Sequence, residues 1–279
     1  LMSTYYYVHW LPMAMYCSIS GYLLAVRFMN IDELPFLNTG ASAQMHHAVI
    51  PQVILFIVLG ALCGKIGDRL VRFSSVVFQF RSKYFRSTAR GLALVTIFCI
   101  AHNLISYHVG GILWKSQKVG IQLLFDPKFD SSFAWVELPL NFGKFNACIS
   151  LAVFAVVKAA LSGVSIVMPV PSGVFTCIFE LGASVGRLYG EIVNLFPGLG
   201  PVDPCIFAIV GAAAVTTGFV QAISVAVVMI ELTGSRDVNL LPMTLGCLTS
   251  YIVSKQSNVD FFSTMIKLRR LPFILGLRE

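Results

Sequence analysis

The sequence predicts an all-α integral membrane protein with tilted, broken helices, and three observations lead to this fold class. Hydrophobic residues make up 57% of the 279 residues and charged residues only 12%, whereas soluble domains carry about 25% charged residues. Most apolar runs are shorter than the ~20 residues that a straight span requires. Glycine and proline interrupt several runs, and a membrane tolerates such breaks only where protein or a polar cavity covers the backbone. This pattern is typical of channels and transporters.

Apolar runs give the order of the predicted membrane segments. A last stretch, 261–274, mixes apolar and basic residues and reaches Leu271-Pro272, so we predict a final helix that leaves the membrane there. The chain begins Leu1-Met2 without a basic leader or a cleavage signal, and we therefore expect a trimmed or partial chain. The predicted segments are 5–26, 48–64, 91–107, 145–161, 174–189, 206–230 and 240–253.

Positive charge is concentrated beside the apolar runs. The net charge is +7, and the segment 65–90 contains many basic residues against a single acid, Asp68. This bias predicts a cytoplasmic location for that segment, and a second basic cluster at 267–270 places the carboxyl terminus on the same side. No basic face with interleaved aromatic residues is present, so we predict no nucleic-acid partner. The basic residues are Lys65, Arg69, Arg72, Arg81, Lys83, Arg86 and Arg90, and then Lys267, Arg269 and Arg270.

The segment 168–182, MPVPSGVFTCIFELG, carries the clearest chemical signal. Two prolines favour an extended backbone, and an apolar helix follows Gly173. The first N–H groups of a helix have no intrahelical acceptor, and the macrodipole adds partial positive charge there. Such an end binds an anion without a buried cation that would hold it too tightly. The alternative is an ordinary proline-glycine break before a core helix.

Four segments, in order, resemble the CLC family of chloride channels and chloride/proton antiporters. PVPSGVFTCIFELGASVGRLYGE at 169–191 is similar to the family's filter segment, in which a GxFxP motif opens a helix. Lys158 fits the basic residue of the preceding helix, GAAA at 211–214 with SVAVVMIELTG at 224–234 resembles the following run, and FFSTMIKLRRLPF at 261–273 resembles the last membrane helix.

The resemblance implies a CLC-type inverted-repeat fold. Residues 1–47 would end the first repeat, 48–255 would form the second, and 256–279 would contain the final helix toward the cytoplasm. Two elements of the first repeat, the family's serine loop and its gating glutamate, are absent from this sequence. The family's internal proton-accepting glutamate would fall at or just before Leu1.

The resemblance also assigns a chloride site to the start of the filter helix. The backbone amides of Val174 and Phe175, directly after Gly173, would coordinate the central anion. The family's other central ligand is a tyrosine hydroxyl on the last helix, where this chain has Phe262. Because a neutral hydrogen bond is worth roughly 0.5–1.5 kcal/mol, its loss would lower affinity by up to about tenfold. Cys177 replaces the family's proline, which we expect to loosen the first helical turn.

Ionisable residues within the apolar helices have two interpretations. Glu180 lies one turn into the filter helix, where a carboxylate is costly in lipid. It is either a pore or vestibule charge that repels anions or titrates, or a carboxylate that is paired with a neighbouring helix. For Lys158, Arg187, Glu191 and Glu231 we predict pairing at helix ends and between helices.

The resemblance implies transport of an inorganic anion, chloride first, across a lipid bilayer by a homodimer with one pore per subunit. The apolar faces between Ile206 and Val253 would supply much of the dimer contact. A channel is slightly favoured over a proton-coupled exchanger if Leu1 replaces the internal glutamate. A structural CLC-like subunit that does not conduct is the alternative.

An enzyme is not predicted. Ser172 lacks a nucleophile-elbow motif and a nearby histidine. The seven cysteines are scattered singly through apolar stretches, and the histidines have no second ligand at metal-binding spacing. No organic cofactor or metal is therefore implied, and chloride is expected only as the transported ion.

Overall fold

The described part of the chain is helical throughout, and it contains no strand. The computed structural model describes residues 50–85, 88–109, 111–126, 144–170, 173–195, 203–233, 240–257 and 260–269, with Cys17 and Ser20. This confirms the all-α prediction; the predicted segment 5–26 and the end of a first repeat lie outside the described residues, apart from those two positions. The helices are α1 (Ile50–Tyr84), α2 (Thr88–Val109), a 3-10 turn (Gly111–Trp114), α3 (Gln117–Phe125), α4 (Lys144–Ser165), α5 (Val174–Asn194), α6 (Pro204–Val220), α7 (Ser224–Thr233), α8 (Leu240–Lys255) and α9 (Phe261–Leu268).

Helix α6 forms the centre of the described fold. Every residue from Cys205 to Phe219 is buried, and α6 packs against α1, α5 and α8. Stacked rings of Phe56 and Phe207, with centroids 4.7 Å apart, join α1 to α6. The expected dimer face between Ile206 and Val253 is therefore wrong for the α6 part, because that part packs inside its own chain.

Helices α5 and α6 approach each other so closely that their backbones touch. Gly182, Gly186 and Gly190 recur every fourth residue on α5, so they lie along one face of the helix. A Cβ atom on Gly186 would lie 2.0 Å from the carbonyl oxygen of Phe207. Small residues that permit such contact are the usual means of helix association in a membrane.

Helix α1 also packs closely against α8 and α6 at glycine residues. A Cβ atom on Gly60 would lie 1.9 Å from the hydroxyl of Thr249 in α8, and one on Gly67 would lie 2.8 Å from the backbone nitrogen of Phe219 in α6. The Ser250 hydroxyl adds a hydrogen bond of 2.6 Å to a carbonyl of α6. The long helix α1 is thereby fixed to the buried centre.

Two predicted segments have different limits in the structure. The predicted run 206–230 is divided, because Gln221 takes a left-handed conformation (φ 55°, ψ 42°) that ends α6, and its side-chain amide donates to the backbone of Ser254. Helix α1 extends over 35 residues, far beyond the predicted limit at Gly64. Arginine and lysine are good helix formers, so the basic segment continues the helix.

Two helical segments are long and apolar enough to cross a membrane by length and composition, namely Ala89–His108 and Cys148–Ser165. Pro204–Val220 is apolar but shorter. Large apolar side chains on α2, such as Leu92 and Ile97, are exposed. An aliphatic surface of this kind on helices of that length is suited to lipid.

We predict that Gly186→Ala destabilises the protein. Its new methyl group would overlap the Phe207 carbonyl, and overpacking of this kind costs about 1–3 kcal/mol. Thermal unfolding of the complete protein in detergent should show a clearly lower Tm. The matched control is Gly91→Ala, whose nearest neighbour would be an ordinary contact of 3.8 Å; equal Tm values for the two variants would contradict the packing described for α5 and α6.

Candidate anion-binding site

The segment that leads into α5 is held by α4 and α1. The amides of Val167 and Met168 each donate to a carbonyl in the last turn of α4 at 3.1 Å. From α1, the Arg81 guanidinium donates to the carbonyl oxygen of Val167. These contacts fix the backbone just before the two prolines, so the direction in which the chain reaches Gly173 is defined by two helices.

The amino terminus of α5 is open. Gly173 is the N-cap, with extended backbone angles (φ −73°, ψ 121°), and as a glycine it provides no side-chain cap. Among the described residues, nothing lies within 4 Å of the position that a Cβ atom on Gly173 would occupy. The amides of Val174 and Phe175 have no intrahelical acceptor at this end. The structure therefore places Gly173, Val174 and Phe175 together at a helix start, with free space beside the Cα atom of Gly173.

The side chain of Phe175 is directed along α5. Its ring stacks on that of Phe179, with centroids 5.6 Å apart and planes 18° apart, and Phe179 meets Phe125 of α3 edge to face at 6.0 Å. Val174 packs against the hydrophobic core. These contacts hold the first turn of α5 in place through its side chains.

Cys177, the departure from the family motif, does not disturb this turn. Residues 174–177 are helical, so the expected loosening is not seen. The side-chain amide of Gln117, at the start of α3, donates to the Cys177 sulfur at 3.4 Å. A neighbouring helix thus contacts the position where the family has proline.

Glu180 forms a buried ion pair. Its carboxylate lies 2.6 Å from the ammonium nitrogen of Lys158 in α4, and the two side chains are only 2% and 9% exposed. A Cβ atom on Gly120 of α3 would lie 3.0 Å from the other carboxylate oxygen, so glycine there leaves room for the charge. This geometry agrees with the interpretation of Glu180 and Lys158 as partners between helices.

Arg187 binds the carboxyl end of α3. Its guanidinium donates to the carbonyl oxygens of Leu124 (3.3 Å) and Asp126 (2.9 Å), and its Nε atom pairs with Glu191 one turn along α5 at 3.2 Å. A cation at this position satisfies carbonyls that the helix end leaves unpaired. The predicted pairing at helix ends is confirmed for Arg187 and Glu191, whereas the side chain of Glu231 lies outside the described residues.

Phe262 lies in the first turn of α9, on a different helix from the amides of α5. Asp260 caps α9 by accepting a hydrogen bond of 3.0 Å from the Ser263 amide, and Phe261 stacks on Phe219 of α6 at 4.7 Å. The Phe262 ring is partly buried against the same hydrophobic core as Val174. The contacts of α9 are with α1 and α6, and a role of Phe262 at the anion site stays a prediction.

Sequence reasoning missed two arginines near the site. Arg81 of α1 and Arg269 at the end of α9 line a cavity together with Met168, Pro169 and Val170. Both had been interpreted only as signals of membrane orientation. The sequence places them 188 positions apart, so only the packing of α9 on α1 could reveal that they share a cavity.

Exposed apolar helices long enough to cross a membrane and a buried central helix with glycine contacts are features of an integral membrane protein. A family model described as "Voltage gated chloride channel" matches residues 1–255. The chain therefore belongs to this family, the CLC proteins, whose members are channels or transporters and not enzymes.

Individual relatives and a solved structure agree with this membership. The chain is 28% identical over 230 residues to Chloride channel protein E of Dictyostelium discoideum, and the aligned residues make up 82% of this chain and 23% of that protein. It is 26% identical to human Chloride channel protein ClC-Kb over 81% of this chain and 37% of that protein. A crystal structure of a eukaryotic CLC transporter matches 84% of this chain and 38% of its own, with a TM-score of 0.56 and 26% identity.

The CLC fold predicted from the sequence is thus confirmed. The chain spans between about a quarter and two fifths of the length of these relatives.

We predict that the Lys158–Glu180 pair stabilises the fold only as a pair. Lys158→Met or Glu180→Leu alone leaves one buried charge unpaired, which costs about 3–5 kcal/mol. The double variant removes both charges and should recover most of the lost Tm in thermal unfolding of the complete protein.

The control for this comparison of single and double variants is Arg72→Met, which breaks an exposed ion pair with Asp68 in α1. Exposed pairs contribute only about 0–1 kcal/mol, so its Tm should stay near that of the unaltered protein. Additive losses in the double variant would show that the two charges act separately.

Proposed function

We propose that this chain is part of a chloride-conducting membrane protein, and that the amides of Val174 and Phe175 hold the anion on its route. One observation carries the proposal. The backbone is extended at the N-cap Gly173, which provides no side-chain cap, and the described residues leave open space at the position of a Cβ atom there. Free amides and the helix macrodipole make such a place attractive to a halide.

The site is suited to passage because its attraction is moderate. Amide dipoles bind an anion without a full positive charge, and conduction requires that the ion can leave. Phe262 supplies no hydroxyl, which removes one further ligand from the site that the family resemblance implies. Weak central binding therefore supports a channel more than a tightly coupled exchanger.

The names of the relatives also favour a channel, with one exception. The matched proteins from Dictyostelium and human are chloride channel proteins, whereas the matched crystal structure is that of a transporter. A structural subunit that does not conduct is the second candidate, and Phe262 favours it because a chain without transport has no need of the hydroxyl.

Exposed apolar residues on two adjacent helices supply a face for homodimer formation. Ile223 lies just before α7, Val227 and Val228 lie within α7, and Leu248 and Ile252 lie on α8. The two helices contact each other, so their faces can form one surface. This surface replaces the α6 part of the predicted interface, and the basic end of α9 supports a cytoplasmic carboxyl terminus.

Reconstitution of the complete protein in liposomes tests the function and separates its variants. A chloride gradient should drive efflux when a potassium ionophore balances charge. For a channel, the reversal potential should follow the chloride gradient and ignore an imposed pH gradient. A shift of the reversal potential with pH would identify an exchanger, and absence of flux at every voltage and pH would favour the structural subunit.

We predict that Phe262→Tyr increases chloride affinity. A restored hydroxyl would add one hydrogen bond of roughly 0.5–1.5 kcal/mol, which is up to about tenfold in affinity. Isothermal titration with chloride and single-channel conductance would measure the change. Phe262→Leu is the control without a hydroxyl; if it gave the same result as tyrosine, or if tyrosine changed nothing, the assignment of Phe262 to the pore would be wrong.

A further inference from the structure

A surface groove of about 320 Å³ lies between α1 and α4. On α1 it is lined by Ile66, Leu70 and Phe73, whose spacing of four and then three residues places them along one face of the helix. On α4 it is lined by Ala159 and Ala160. Because α4 presents only methyl groups to the large side chains of α1, the space between the two helices stays open.

A glycine of α4 fixes the wall of this groove. A Cβ atom on Gly163 would lie 2.5 Å from the ring of Phe73 and 3.4 Å from the side chain of Leu70. The Phe73 ring therefore packs directly on the backbone of α4, while 41% of the residue stays exposed. The groove thus has a defined shape with an aromatic wall that is open to the outside.

Uncompensated positive charge lies at the rim of the groove. Arg69 is the charged residue among those that line it. Lys65 lies four residues earlier, on the same face of α1, and both residues are exposed. Within the described part of the chain, neither has a carboxylate at ion-pair distance, because the neighbouring Asp68 pairs with Arg72. The groove therefore combines apolar walls with a cationic rim.

The position of the groove along the two helices indicates its depth in the membrane. Ala159 and Ala160 lie within the apolar segment Cys148–Ser165. On α1 the groove begins just after the apolar run that ends at Gly64, where the basic residues start. The groove therefore lies near the boundary between hydrocarbon and headgroups, on the side where the positive charge predicts the cytoplasm. Anionic lipids of that leaflet attract basic residues beside the membrane.

We propose that this groove binds an anionic phospholipid, with an acyl chain against Leu70, Phe73 and Ala160 and the phosphate on Arg69. The guanidinium group offers a planar set of donors that matches phosphate oxygens, and Lys65 adds a second positive charge. A zwitterionic lipid could fill the apolar part equally well, but its headgroup carries no net charge. The rim therefore selects the anionic lipid. The site is separate from the start of α5, and it does not depend on the proposed function.

Fluorescence quenching measures which lipid occupies the groove. In the complete protein, Phe73→Trp places a reporter on the groove wall, and Trp10→Phe, Trp114→Phe and Trp135→Phe remove the native tryptophans. In phosphatidylcholine nanodiscs, a small share of brominated phosphatidylglycerol should quench this reporter at least about fivefold more effectively than the same share of brominated phosphatidylcholine, the effect of one basic residue near an anionic lipid. Adding Arg69→Gln should remove most of this preference, and Arg69→Lys should retain it.

Matched variants separate the groove from general effects of charge and bulk. Lys83→Gln removes a basic residue about 21 Å along α1 from Arg69, beyond the Debye length of about 8 Å at physiological salt, and should leave the preference unchanged. Ala160→Phe fills the groove and should weaken quenching by phosphatidylglycerol. Val156→Phe, one turn earlier on α4 at a residue that is 70% exposed, should not.

Two results would overturn the lipid site: equal quenching by the two lipids, or a preference that persists in Arg69→Gln. Quenching that Ala160→Phe leaves unchanged would also overturn it, because lipid would then reach the reporter from the bulk bilayer. Native mass spectrometry of the protein with its own Phe73 gives an independent measure. The unaltered protein should retain phosphatidylglycerol in detergent and Arg69→Gln should lose it; equal retention would contradict the site. Chloride flux is measured separately, so these outcomes leave the proposed function untouched.

Discussion

The close backbone packing of α5 against α6 is the constraint on which the rest of the structure depends. Glycines at 182, 186 and 190 bring the two helices together without side chains between them, and α6 is buried along its length. A membrane protein must satisfy its backbone groups internally unless they face a polar cavity. The packing of its body against α6 fixes the position of the amino terminus of α5 at Gly173. The close contacts along the body of α5 thus offset the free-energy cost of an exposed amino terminus.

The charged residues around α5 also differ between the body of the helix and its start. In the body of α5, Glu180 is neutralised by Lys158 and Arg187 is bound by carbonyls and Glu191, so the interior adds little net charge beside the helix. At its start the surplus charge is positive, first from amide dipoles and then from arginines that line the neighbouring cavity. Among the described residues, the charges along the body of α5 are therefore paired, and the arginines that lack a carboxylate partner lie near its start.

The sequence predicted the helical membrane class, the helix start after Gly173 and the family, because composition, proline-glycine punctuation and ordered motifs are local signals. The sequence did not predict the contacts between segments that lie far apart in the chain. The burial of α6 removed the α6 part of the expected dimer face, because an apolar run has the same sequence pattern whether it faces lipid or protein. The break at Gln221 was missed because a left-handed glutamine has no marker in the sequence. For Glu180 the sequence left a pore or vestibule charge and a pair with a neighbouring helix as alternatives, and the packing of α4 on α5 identified Lys158 as its partner. The meeting of Arg81 with Arg269 required the packing of α9 on α1.

The most direct test is to remove a single amide from the start of α5 without changing the helix. Val174→Pro does this, because proline is favoured at the first position of a helix and the extended backbone of Gly173 is what a residue before proline prefers. Val174→Ala keeps the amide and is the control. A hydrogen bond to a charged group is worth about 1.5–3 kcal/mol, so the proline variant should bind chloride at least about tenfold more weakly than the alanine variant, at an unchanged Tm. Equal chloride affinity in the two folded variants would contradict a role for this backbone in holding the anion.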